Sequence, residues 1–198
     1  MEQIFAPPRV EVLKPAVDFR LTWHAVTSTL LSPAARVTAW RIVHETLPVQ
    51  AFVYKYRISD VAVCPLCQTY LETTVHLFLP CVTVRPIWVR IETVFSFNLP
   101  LSSNKLVYFN FNKADDALTP TVTVVVTDIL HAIWLCRNRG HWDKEVLNTN
   151  AILAFCLGRL RVRVKADFGR LTPGVFQAFW SSQTPCVRVG PAGLSLDF

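Results

Sequence analysis

Apolar residues recur at helical intervals through most of this chain. In the segment opened by Ser32-Pro33, residues Val37, Trp40, Ile42, Val43 and Leu47 fall near one face while Arg36, Arg41 and Glu45 lie largely off it. That pattern predicts a helix capped by Ser32 and stopped by Pro48. A segment around 19–31 fits the same period, and so does 84–97, where Ile87, Trp88, Ile91 and Phe95 form the buried stripe and Arg85, Arg90 and Glu92 the wet one. Asn98-Leu99-Pro100 ends that helix. The most apolar run, Thr121 to Cys136, is interrupted by Asp128 and His131 and followed by Arg137. A membrane span wants about twenty uninterrupted apolar residues, so a buried helix is expected instead, starting at Thr119-Pro120 and stopped by Gly140. A last helix is predicted over 150–168. Ser, Asn and Asp around Val107-Tyr108-Phe109 read as a loop or short strand.

These elements, with Cys64, Cys67, His76 and Cys81 clustered between them, add up to a mainly α protein, a helical domain with a small zinc knuckle inserted into it. The expected organisation is an N-terminal segment at 1–31, a zinc-binding region at 32–97, a loop or linker at 98–118, a C-terminal helical portion at 119–182 and an irregular tail at 183–198. No internal repeat is visible. With 198 residues of which 52% are hydrophobic, the chain has enough material for a substantial core.

The knuckle is inferred from Cys64, Cys67, His76 and Cys81, spaced C-x2-C-x8-H-x4-C. A Cys-x-x-Cys turn presents two thiolates to one metal, and the following residues suffice for a reversal that returns the other two ligands. Three thiolates and one imidazole close a tetrahedral shell around one structural Zn2+, leaving no open position for a water or a substrate. Two rival readings exist. Cysteines are often small buried hydrophobes, and Cys64-Pro65-Leu66-Cys67 also spells a thiol redox pair, although that use needs a βαβ setting which the polar Gln68, Thr69 and Tyr70 do not supply. The remaining cysteines, Cys136, Cys156 and Cys186, lack ligand spacing and are expected in the core. Met1 is followed by Glu2, Pro7, Pro8 and Arg9 without a leader-like apolar run, so six cysteines suggest a reducing compartment.

A net charge of +6 and a pI near 9.2 favour polyanionic partners modestly. Clustering adds weight: Arg159, Arg161, Arg163, Lys165 and Arg170 crowd the C-terminal third. On a helix, Arg159/Arg163 and Arg161/Lys165 form two neighbouring rows; on a strand, the four at 159–165 would line one side. Each alone is as readily a solvated surface cation. Tyr70 is a candidate for stacking on a base. Asp115-Asp116 is read as a solvated pair in a loop, since it lacks the apolar strands of a two-metal centre.

Taken in order, the residues resemble the zinc-binding region found downstream of the polymerase in non-LTR retrotransposon reverse transcriptases. The resemblance runs from the helix of Trp40 to Leu47-Pro48, through Cys64-Pro65-Leu66-Cys67, Glu72-Thr73, His76-Leu77-Phe78 and Cys81, to Trp88. Ile129-Leu130-His131-Ala132-Ile133-Trp134 leading into Arg137-Asn138 looks like the helix that commonly follows, so about residues 34–142 are covered. The position after Cys67, often Gly in the family, is Gln68 here. No Tyr-x-Asp-Asp segment of a polymerase is present.

The resemblance implies a non-catalytic, C-terminal piece of an element or a product derived from one, located inside the cell with the nucleus slightly favoured. Its partners would be template RNA or target DNA, held for a reverse transcriptase polypeptide, with no membrane and no small-molecule substrate. A scaffold packing on a polymerase and an inactive remnant of an element are the alternatives.

Overall fold

The 3.6-residue period is realised along most of the chain, whose computed structural model describes residues 19–110 and 119–198. In order these form α1 (Phe19–Val26), α2 (Pro33–Val43), α3 (Gln50–Lys55), α4 (Thr74–Phe78), α5 (Arg85–Phe95), α6 (Thr119–Trp142), α7 (Thr149–Arg170) and α8 (Pro173–Phe176). A π-helical turn, Gln177–Ser181, continues α8, and β1 (Val187–Gly190) pairs antiparallel with β2 (Gly193–Leu196). The protein is mainly α, with one two-stranded sheet among the described residues. Asp115-Asp116 and the residues before Phe19 lie outside them.

Helix α6 is the spine. It packs against α2 on one side and α7 on another. Val124, Val125, Val126, Ile129, Leu130, Ala132 and Ile133 are all fully buried. By length and composition α6 is long and apolar enough to cross a membrane, but 89% of its most apolar stretch is covered by the rest of this fold. Its polar interruptions are satisfied internally: the Thr38 hydroxyl meets His131 Nδ1 at 2.8 Å, and Asp128 lies 3.8 Å from Arg163 on α7. Such pairing is what lets polar groups enter a core without a large desolvation cost. Gly140 does not stop the helix, which continues to Trp142. There Gly140 lies beside Leu66 of the knuckle, where a Cβ would be at a distance of ordinary van der Waals contact.

Helix α2 starts as read, with the Ser32 hydroxyl accepting from Ala35 N–H and Pro33 in the first turn. It ends four residues early. Thr46 N–H reaches Arg41 C=O and Glu45 N–H reaches Ile42 C=O, with Glu45 left-handed at φ 54°, which is a Schellman closure. Leu47 is therefore buried from beyond the helix. The stripe is also rotated from the expected one: Ala35, Thr38, Ala39, Ile42 and Val43 face inward, whereas Val37 and Trp40 face outward. Small Ala35 and Ala39 permit close approach to α6, so residue size decided the inner face against hydrophobicity.

Helix α5 buries Ile87, Trp88, Ile91 and Phe95 as its spacing predicts. Residues 101–110 form successive turns and no strand, with Leu106, Val107 and Phe109 buried. The tail departs from expectation: 183–198 is a folded hairpin. Val187, Val189, Leu194 and Leu196 supply the alternation, Gly193 takes φ +104° at the turn, and the Phe198 ring lies 5.2 Å from that of Phe95.

Candidate metal centre

The knuckle is a loop that closes on itself. Cys64 N–H donates to Tyr70 C=O, Val63 and Leu71 form a bridge, and Gln68 N–H returns to Cys64 C=O. This turn sets the Cys64 and Cys67 thiols side by side and forces Gln68 to φ 54°. A left-handed residue explains why glycine is common there in the resembling family, because any Cβ is strained in that conformation. Thr73 then caps α4 by accepting from His76 N–H at 3.0 Å, and α4 delivers His76 back to the turn. Cys81 follows at the start of the next turn, its N–H donating to His76 C=O.

The four ligand atoms lie within 4.8 Å of one another, and Cys67 Sγ is 3.4 Å from His76 Nε2. Tetrahedral Zn2+ with Zn–S of about 2.3 Å and Zn–N of about 2.0 Å needs ligand atoms roughly 3.5–3.8 Å apart, so the set is nearly closed for one ion. Cys64 and Cys81 are fully buried, and Cys67 and His76 partly so. The donor set, three sulfurs and one ring nitrogen, fits one structural Zn2+. Coordination through His76 Nε2 would use all four residues, so the ion would organise the fold and leave no site for Lewis-acid chemistry.

Protons are shared within the cluster. The hydrogen bond with Cys64, aided by His76, lowers Cys81 to about 4, while the same contact and burial push Cys64 upward. Burial works against a charged His76, but its contacts with Cys81 and Cys67 outweigh that and raise it. Cys81 is thus favoured as a thiolate, whereas Cys64 would have to release its proton on ligating a metal. No helix follows the Cys-x-x-Cys turn directly, so the setting of a thiol redox pair is missing.

The flanking residues are supports. The Glu72 carboxylate is fully buried and accepts from Arg137 Nε at 2.8 Å and Nη2 at 2.7 Å. It also accepts from Gln50 N–H at 2.6 Å, capping α3. The Trp88 indole donates to Phe78 C=O at 2.6 Å, and the Thr83 hydroxyl to Leu66 C=O at 3.3 Å. Tyr70 is exposed, its ring 5.7 Å from the His76 ring. Cys136, Cys156 and Cys186 are buried away from this cluster, with burial raising Cys136 and Cys186 to about 11.

All five C-terminal cations lie on helix α7, which removes the strand alternative. Their surroundings differ. Arg163 is held inside by Asp167 at 2.8 Å, Asp128 and the Leu30 carbonyl. Arg170 pairs with Asp167 from a largely exposed position, Lys165 is exposed, and Arg161 lies over the Phe198 ring. Arg159 lies over Phe155, its Nε buried and unpaired. The Glu72–Arg137 pair was not anticipated from sequence. Its members were visible only as separate pieces of the resemblance, with nothing in their spacing to join them.

Residues 11–88 match the family model for zinc-binding in reverse transcriptase. No curated protein and no solved structure matches the chain.

Proposed function

We propose that this protein, carrying a reverse-transcriptase-type zinc-binding region, is a non-catalytic module that holds template RNA or target DNA for a reverse transcriptase inside the cell. One observation carries the reading: α7 holds five cations and one acid, and that acid, Asp167, is shared by Arg163 and Arg170. Lys165 and Arg170 are exposed and Arg159 and Arg161 half-buried on the same helix, so α7 gathers cations for phosphates, which supply most of the sequence-independent affinity for nucleic acid. The zinc site serves by fixing the loop and, through Glu72, its docking on α6.

The test is binding of the zinc-loaded chain to RNA and DNA at several salt concentrations, with and without neutralisation of Arg159, Arg161, Lys165 and Arg170 to Gln. Affinity should fall steeply with salt, and the neutralised variant should bind weakly with a shallower salt slope. Affinity indifferent to both removes the electrostatic basis. Capture of a polymerase fragment without nucleic-acid binding would favour a scaffold.

A further inference from the structure

The α1–α2 pair has an outer face with an unusual composition. From Phe19 to His44 the sequence contains no Asp or Glu, yet it carries Arg20, His24, Arg36, Arg41 and His44. Helical spacing places Val37, Trp40, Arg41 and His44 on one side of α2, opposite the face that packs on α6. All four are exposed, Trp40 at 47% and Val37 at 54%. The rings are arranged in a row. His44 lies 4.1 Å from Trp40 and 5.3 Å from Trp23 of α1, tilted by 38° and 45°. Of the two acids that flank this stretch, Asp18 lies outside the described residues, and Glu45 accepts the Tyr108 hydroxyl at 3.1 Å and is turned toward that residue.

Two features of this face point to one occupant. Arg41, exposed beside the rings, complements a polyanion, and the half-exposed Trp40 offers an apolar ring at the same place. Unpaired bases stack on such rings with little sequence preference while neighbouring cations follow the phosphates. A duplex keeps its base faces covered and cannot use them. An acidic, apolar protein segment could pair with the same groups, and capture of a polymerase fragment tells the two occupants apart.

We infer that the outer face of α1–α2, centred on Trp40 and His44 with Arg41 beside them, is a stacking platform for single-stranded nucleic acid. This rests on the nucleic-acid reading above and adds to it a surface, a strand preference and residues that the C-terminal cations do not include. Arg163 links the two regions, since it reaches from α7 to the Leu30 carbonyl in the α1–α2 connection.

The test uses the full zinc-loaded chain with a fluorescent oligouridylate, the matching oligothymidylate and a duplex of equal length. Trp40→Ala should weaken single-strand binding about tenfold, Trp40→Phe much less, and duplex binding should change little. Arg41→Gln should lower the salt slope on single strands by about 0.7. Because Trp40 is half exposed, unchanged circular dichroism is expected for its variants. If the wild type binds and Trp40→Ala binds equally well, the platform is wrong while the nucleic-acid reading stands. If the wild type binds no nucleic acid at low salt, that reading falls. Loss of polymerase capture in Trp40→Ala with intact nucleic-acid binding would reassign the face to a protein and overturn the platform.

Discussion

Glu72 and Arg137 meet in a two-pronged ion pair with both side chains at or below 2% exposure. One belongs to the zinc knuckle and the other to the central helix, 65 residues away. Charges so deeply buried are tolerated only when matched, and removing one partner of such a pair typically costs about 3–5 kcal/mol. The knuckle is consequently not self-contained: its buried carboxylate is neutralised by a residue outside the 11–88 family match.

Glu72→Leu and Arg137→Leu should therefore each destabilise the protein by about 3–5 kcal/mol in denaturant unfolding. The double variant should be more stable than either single one, though short of wild type because Gln50 N–H loses its acceptor. Additive losses in this cycle would show that the two charges do not depend on each other.

Metal content is the direct check on the cluster. Purified wild-type protein should carry one zinc per chain, and Cys81→Ser should carry much less. Chelation should lower the unfolding temperature and expose Trp88, whose indole is held by Phe78, a residue between the ligands His76 and Cys81. Binding energy at a structural zinc is largely folding energy, so an unchanged melting curve after metal removal would contradict a structural ion.

Gln68→Gly offers a gain. A non-glycine residue in the left-handed region is strained by about 1–2 kcal/mol, partly offset by the flexibility glycine adds to the unfolded chain. The variant should be more stable by up to about 1 kcal/mol with zinc content unchanged. A loss of stability would mean that the Gln68 side chain makes contacts outweighing its backbone strain.

Acid dependence should separate two buried groups. Burial raises Asp128 to about 6, against the pull of Arg163 and Arg159, whereas burial and Arg159 lower His131 to about 4. The raised carboxyl contributes stability that is present at low pH and lost as pH rises through 6. The lowered imidazole contributes stability present above 6.5 and lost as pH falls through 4. Within the same window the effects oppose each other. Asp128→Asn should lose stability relative to wild type as pH falls from 7 to 4, and His131→Gln should gain relative to wild type. Thermal melts across that range check both, and a pH-independent gap would show that the group does not titrate there.

Local signals were legible in the sequence where one residue type does one job. The ligand spacing identified the cluster, the Ser32-Pro33 and Asn98-Leu99-Pro100 punctuation located helix ends, and the stripe of α5 was read residue for residue. Reading failed where geometry depends on neighbours. The inner face of α2 was set by small residues that fit α6, and Gly140 lies inside α6 without stopping it. The hairpin of the tail escaped because its short alternating runs only become convincing once Phe198 has Phe95 to rest on. Among the cations, pattern alone could not distinguish Arg163, consumed by Asp128 and Asp167, from its neighbours.

The distance in sequence between Glu72 and Arg137 also sets an order of events during synthesis. A ribosome adding about 5–20 residues per second delivers all four zinc ligands several seconds before the arginine emerges. During that interval the loop can already grip its ion, while the carboxylate beside it stays in water because it has no counter-charge. Docking of the knuckle on α6 is therefore complete only after Arg137 has been made.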